Sequence, residues 1–297
     1  MTPPTPKQFL ALIILIFTLV ITACGTHLGP LPTPTPSPTS LPTPTATPIP
    51  LAASVNGEEI TVAEFEAELA RYQQVQASLG NTVNLETATQ VVLNDMIDTL
   101  LLGQGAAAYD FIVDEATVQQ RIDVLTAQVG GLDALAAWES SHGYTDMDFR
   151  SALCRQIASA WMRDQVAASV SSTAEQVHVK QVMLYNTVAA EEALGLLQAG
   201  WIFDDLAAQY DPVTKGELGW FPRGYIPDPA IENAAYALQP GQYSGIVQDG
   251  AGYHILYLVE RDPSRLLSPD ALLTLQERAV QSWLSQRRNE STILFAP

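Results

Sequence analysis

Phe65, Leu69 and Tyr72 recur on one helical face, and Thr61-Val62-Ala63-Glu64 ahead of them has the spacing of a capping box, so a helix is predicted from Val62. Val55-Asn56-Gly57-Glu58-Glu59-Ile60, just before it, reads as a short strand-turn element. Leu93, Met96, Ile97, Leu100 and Leu101 repeat at three and four, as do Val118, Ile122, Leu125 and Val129, which predicts two further amphipathic helices. Gly130-Gly131 breaks the second of these, and a short helix is expected over Leu132 to Trp138. Thr145 to Asp148 offers another helix start before Phe149, Leu153, Ile157 and Trp161. The region 55–170 is therefore expected to be almost entirely helical, with no titratable constellation on its apolar faces.

After Ser171 the period changes. Val177 to Tyr185, rich in valine, predicts a strand, and Val188 to Ala199 and Phe203 to Tyr210 predict helices. Leu218 to Phe221 and Tyr243 to Val247 are expected as short strands with a helix around Glu232 to Ala237 between them, and His254 to Glu260 as a last strand. Ser268-Pro269-Asp270 supplies an N-cap, a proline at the first helical position and an acid in the first turn. The helix starting there runs toward Arg288, with Leu272, Leu275, Ala279 and Trp283 on its apolar side.

The N-terminus belongs to another class. Phe9 to Val20 is an apolar run behind a single charge, Lys7, and it is short for a membrane span, which needs about 20 apolar residues. It suits the apolar region of an export signal. Ile21-Thr22-Ala23-Cys24 resembles a lipobox, which implies cleavage before Cys24 and lipidation of its thiol, and hence a protein held on the outer side of a membrane. Pro30 to Pro50 alternates proline with threonine or serine, a spacer of about 3.1 Å per residue that would lift the folded part of the chain roughly 60 Å from the lipid. Cys154 is then the remaining cysteine, expected as a buried, inert thiol. Acidic side chains outnumber basic ones 32 to 14, a net charge of -18 that argues against a nucleic-acid partner. Four scattered histidines with no HExxH motif and no serine elbow give little support to a hydrolase or a metalloenzyme.

Three motifs lie in order along the second half: Gly216-Glu217-Leu218-Gly219-Trp220-Phe221, Ala234-Ala235-Tyr236-Ala237-Leu238-Gln239-Pro240-Gly241-Gln242-Tyr243-Ser244, and Gly252-Tyr253-His254-Ile255. Together they resemble the parvulin (PpiC-type) peptidyl-prolyl isomerase domain over Val177 to Asp262. The order "VNGEEIT", "MIDTLLL", "DEATVQQRI" and "YTDMDFRSAL" in the first half is similar to the N-terminal module of SurA-like and foldase-lipoprotein chaperones. The resemblance implies an α+β protein: a helical chaperone-like module with a returning C-terminal helix, and a parvulin-like mixed α/β domain with a four-stranded sheet inserted in it. The expected divisions are 1–23 signal peptide, 24–52 linker, 53–171 helical module, 172–263 isomerase domain and 264–297 returning helix.

Carried over residue by residue, the resemblance places His254 on the second of the family's paired strand histidines, Asp211 on its loop acid, and Leu218 and Ile226 on its proline-pocket Leu and Met. Gln181 stands where the first histidine is usual, Ile231 where a pocket phenylalanine is usual, and Asp249 where a hydroxyl residue is usual, and the resemblance implies that Ile231 and Asp249 contact the substrate. Phe221 is expected beside the pocket. His178, three residues before Gln181, should point to the opposite face of its strand and be exposed. Turning a prolyl bond breaks no covalent bond, so no cofactor is expected. The implied partners are unfolded or Xaa-Pro-containing exported polypeptides and, through the lipid, the membrane. Two readings stay open: an isomerase and foldase, or a catalytically weak chaperone whose parvulin-like groove only captures extended chains.

Overall fold

The computed structural model describes residues 50–296. The export signal, Cys24 and the linker up to residue 49 lie outside them. β1 (Leu51–Val55) begins before the expected end of the linker and forms an antiparallel hairpin with β2 (Glu58–Thr61). Asn56 and Gly57 hold φ of 54° and 88°, and positive φ at both central residues is what a tight hairpin turn of matching twist requires.

Five helices come next: α1 (Val62–Ser78), α2 (Leu85–Ala108), α3 (Glu115–Val129), α4 (Leu132–Ser141) and α5 (Asp146–Ala168). The capping box at Thr61 and Glu64 is formed, with the Glu64 N–H donating to Thr61 Oγ1 and the Thr61 N–H to Glu64 Oε2. Asn84, Asp114 and Thr145 cap α2, α3 and α5 in the same side-chain manner. Such caps satisfy N–H groups that the first turn leaves unpaired, each worth about 1 kcal/mol. Cys154 is half-buried rather than buried and packs beside Val118, Ile122, Leu135 and Phe149.

The second half holds β3 (Thr173–Leu184), α6 (Thr187–Gln198), α7 (Phe203–Tyr210), β4 (Glu217–Pro222), α8 (Pro229–Ala237), β5 (Val247–Gln248) and β6 (Tyr253–Leu266). The sheet is four-stranded and antiparallel in the order β4-β3-β6-β5. Side-chain alternation splits it into two faces. Val182, Leu184 and Ile255 pack under α6 and α7, against Ala190, Ala193, Phe203 and Leu206. Val177, Val179, Leu256 and Leu258 pack under α8, against Ile231, Ala235 and Tyr236.

Tyr243 to Val247 is not a strand: Tyr243 makes an isolated bridge to Tyr257, and only Val247–Gln248 pairs regularly. The reason is local. A turn closed by Gln242 N–H to Gln239 O, with Pro240 and Gly241 (φ 85°) at its centre, leads in, and the Ser244 hydroxyl accepts the Leu256 N–H at 2.9 Å where a strand carbonyl would.

α9 (Pro269–Glu290) and β7 (Ile293–Phe295) return to the first half, where β7 pairs with β1. Trp283, Ala279 and Val280 join the core of Leu102, Ala106, Met162 and Val166, while Leu284 and Ile293 join that of Val55, Ile60 and Ile97. The α/β domain is thus an insertion between two parts of one helical module. Among the described residues no helix is long and apolar enough to cross a membrane.

Candidate active site

β3 and β6 pair with Gln181 opposite Leu256 and Met183 opposite His254. Gln181 and His254 are therefore diagonal neighbours on one face, within reach of long side chains. That face carries Val177, Val179, Leu256 and Leu258, and α8 covers it over those residues. His254 is 5% exposed. Its Nε2 donates to Asp249 Oδ1 at 3.0 Å, and its Nδ1 faces Gln181 Oε1 at 2.8 Å. The result is a row, Asp249–His254–Gln181, fixed at both ring nitrogens.

Asp249 belongs to the turn between β5 and β6. Its carboxylate also accepts the N–H groups of Ala251 and Gly252, at 2.8 and 2.9 Å. Burial works to raise its pKa, but these two N–H groups and His254 outweigh it and hold the carboxyl below the usual range. The side chain thus stays an anion at neutral pH and acts as the acceptor for Nε2. Sequence reasoning placed Asp249 among substrate contacts and missed this bond. The available signal was its position five residues before His254 in the glycine-containing turn Asp249-Gly250-Ala251-Gly252, which folds the chain back over that distance.

Asp211 does not join the row. Its Oδ1 accepts the N–H groups of Val213 and Thr214, and its Oδ2 faces the Thr214 hydroxyl and the Gly216 N–H. The Thr214 hydroxyl first, then the Thr214 N–H, lower its pKa. Asp211 shapes the loop that ends at Gly216, whose carbonyl accepts the Gln181 N–H at 2.7 Å, so it reaches the row only through backbone.

Leu218 and Ile226 are partly buried on the core beneath α8, with Val247 beside them. Leu218 reaches it because the β3–β4 register slips between Val179 opposite Gly219 and Lys180 opposite Glu217, and Leu218 is the extra residue. Phe221 is different from expectation. It is fully buried, stands edge-on to Tyr236 and offers no surface to a ligand. Ile231, 5% exposed, lies in the same core and supports Leu218 and Ile226 from below. His178 points away from Gln181 but is half-buried rather than exposed: it stacks on Trp220 and bonds Glu217.

Comparison with known proteins finds a family match in each half of the chain. Residues 47–132 match the SurA-like N-terminal domain, and residues 186–260 match the PPIC-type PPIASE domain. The peptidyl-prolyl cis-trans isomerase PIN4 of Gibberella zeae is 30% identical over 106 residues, which are 33% of this chain and 79% of that protein. The foldase protein PrsA of Halalkalibacterium halodurans is 24% identical over 233 residues, 71% of this chain, which spans 65% of that foldase's length. A crystal structure of PrsA from Bacillus anthracis is 23% identical, covering 67% of this chain and 96% of that one, at a TM-score of 0.44. With a strand-paired His254 on the motif that carries the likeness, the chain belongs to the PPIC-type peptidyl-prolyl isomerase family, its isomerase domain set within a SurA-like helical module.

Proposed function

We propose that this protein is a peptidyl-prolyl cis/trans isomerase and foldase that assists exported polypeptides outside the membrane, anchored by lipid on Cys24. The observation that carries the reading is the Asp249–His254–Gln181 row beside Leu218 and Ile226 on one sheet face. Rotation about a prolyl bond faces a barrier of about 18–20 kcal/mol because conjugation is lost at the twisted state. A catalyst must hold that state better than either planar form. Leu218 and Ile226 supply apolar surface for the proline ring. The row supplies polar groups whose positions are set before the substrate arrives, so no reorganisation is needed as the carbonyl's charge changes. PrsA foldases and SurA chaperones among the relatives support the assignment to protein folding.

A second reading is favoured by one residue. Gln181 replaces the first histidine of the family pattern, and its amide can meet Nδ1 as acceptor or, turned over, as N–H donor. That tolerance holds His254 less strictly in one state, which suits a domain that binds extended chains and turns them slowly.

Acceleration of cis/trans exchange in short Xaa-Pro peptides, followed by NMR or a protease-coupled assay, tests both. His254→Ala is expected to lower kcat/KM about 100-fold, the cost of one well-placed polar group, and Gln181→His to raise it. Unchanged exchange rates in both variants, with the fold intact, would assign the sheet face to binding alone.

A further inference from the structure

Between α1, α2, α4 and α5 lies a groove of about 830 Å³, away from the sheet. Val75, Val91 and Trp138 line it and remain 50%, 43% and 40% exposed, an apolar wall left in water. Two guanidinium groups also line it, and both are already paired: Arg71 to Glu68 at 2.6 Å and Arg155 to Glu64 at 2.7 Å. Arg71 is further engaged, lying over the Tyr144 ring at 3.9 Å.

Asp95 stands in the same wall and, among the described residues, has neither an ion pair nor a side-chain hydrogen bond. Its carboxyl is pushed up by the surrounding protein and then by Asp98 and Glu68, with Arg163 opposing. Burial and these neighbours disfavour its charge, which an incoming cation would favour, and with both guanidinium groups paired this carboxyl is the one left open to such a cation. All 32 acidic residues of the chain lie beyond residue 50, so the long-range field is negative.

We propose that this groove holds an extended client segment in which a lysine or arginine lies between apolar side chains, the cation meeting Asp95 and the apolar groups lying along Val75, Val91 and Trp138. The proposal rests on the foldase reading and adds the chemistry a client must carry. Apolar contact supplies most of the affinity, and the charge selects among clients. A long basic side chain suits such a place, because its methylene stem covers apolar wall while its head reaches the carboxylate.

The test uses the full chain and short fluorescein-labelled peptides free of proline, which do not address the isomerase face. Leucine alternates in them with lysine, glutamine or glutamate, and binding is read by anisotropy. The lysine peptide is expected to bind about tenfold tighter than the glutamine peptide, the scale of one partly desolvated ion pair. Asp95→Asn is expected to remove that advantage and leave glutamine-peptide binding unchanged, and Asp95→Lys to shift preference to the glutamate peptide. Ala67→Trp, which fills the groove, is expected to abolish binding while circular dichroism stays unchanged. Equal binding of the three peptides, or full binding in Ala67→Trp, overturns the proposal. So does self-association of the chain that Asp95→Lys abolishes, which gives the groove to a second copy. If aggregation of a denatured test protein is still suppressed in Ala67→Trp, the groove assignment fails and the foldase reading stands. If the unmodified chain neither binds peptide nor suppresses aggregation, both fail.

Discussion

A single carboxylate sets the orientation of His254. Because Asp249 occupies Nε2, only Nδ1 is left to respond to its neighbour, and Gln181 is the residue that answers. Tyr236, in the core next to this face, shows how strongly the same domain discriminates against charge. Its hydroxyl donates to the carbonyls of Glu175 and Phe221, at 3.0 and 3.2 Å, and burial, then Glu175 and Glu232, push its pKa up to about 12. An unfolded tyrosine ionises near 10. Between these values the unfolded chain releases the proton while the folded one keeps it, so the contribution is complete below pH 10 and is lost as pH rises, by about 1.4 kcal/mol per unit. Tyr236→Phe is expected to cost about 1 kcal/mol at pH 7 and to flatten this alkaline decline. Urea unfolding of both proteins at pH 7, 10 and 11 checks it, and parallel declines would contradict it. The aligned histidine and Gln181 were legible as strand residues, since alternation alone gives their face. The Asp249 bond was not, since it depends on how the turn before β6 folds back.

At the scale of elements, the long helices were readable because cap and stripe agree. Asn84, Asp114, Thr145 and Ser268 each accept a first-turn N–H, and apolar residues at three and four come after them. The two shortest elements were not. β7 is three residues long, and β5 is two, too few for a period to register. Gly105 is an element-level feature with a tertiary cause. A mid-helix glycine costs about 1 kcal/mol against alanine, yet a Cβ there would come within 2.7 Å of the Trp283 ring and 3.2 Å of Met162. The glycine lets α9 approach α2. Gly105→Ala is therefore expected to destabilise by about 1–3 kcal/mol through overpacking where helix propensity alone predicts a gain. A higher thermal midpoint for the variant would show that the indole gives way freely.

For the whole molecule, the return of α9 and β7 decides which parts depend on which. β7 hydrogen-bonds to β1, Arg288 bonds Asp98 at 2.7 Å, and Asn56 in the first turn bonds Ser291 and the N–H of Thr292. The sheet domain keeps its own two cores, built from residues 177–258. Removing residues 269–297 is expected to abolish hydrogen-exchange protection in α2 and α5, whose shared core loses Trp283, while β3 and β6 stay protected. Loss of protection in both halves together would mean that the insertion has no stability of its own.

The sequence alone determined the class of each half and the caps and faces of the long helices, because these arise from local periods of 3.6 and 2, while the meeting of Gln181 and His254 across β3 and β6 was implied by the family resemblance. It also determined the net negative charge that any partner must face. The tertiary structure decided that Phe221 is core rather than surface, that Asp211 closes its own loop, and that Asp249 holds His254. It also decided that Asp95, among the described residues, stands without an ion pair in a groove walled by Val75, Val91 and Trp138. Those outcomes depend on which side chains distant in sequence, or carried on a turn, compete for one buried volume or one donor, and no local pattern encodes that competition.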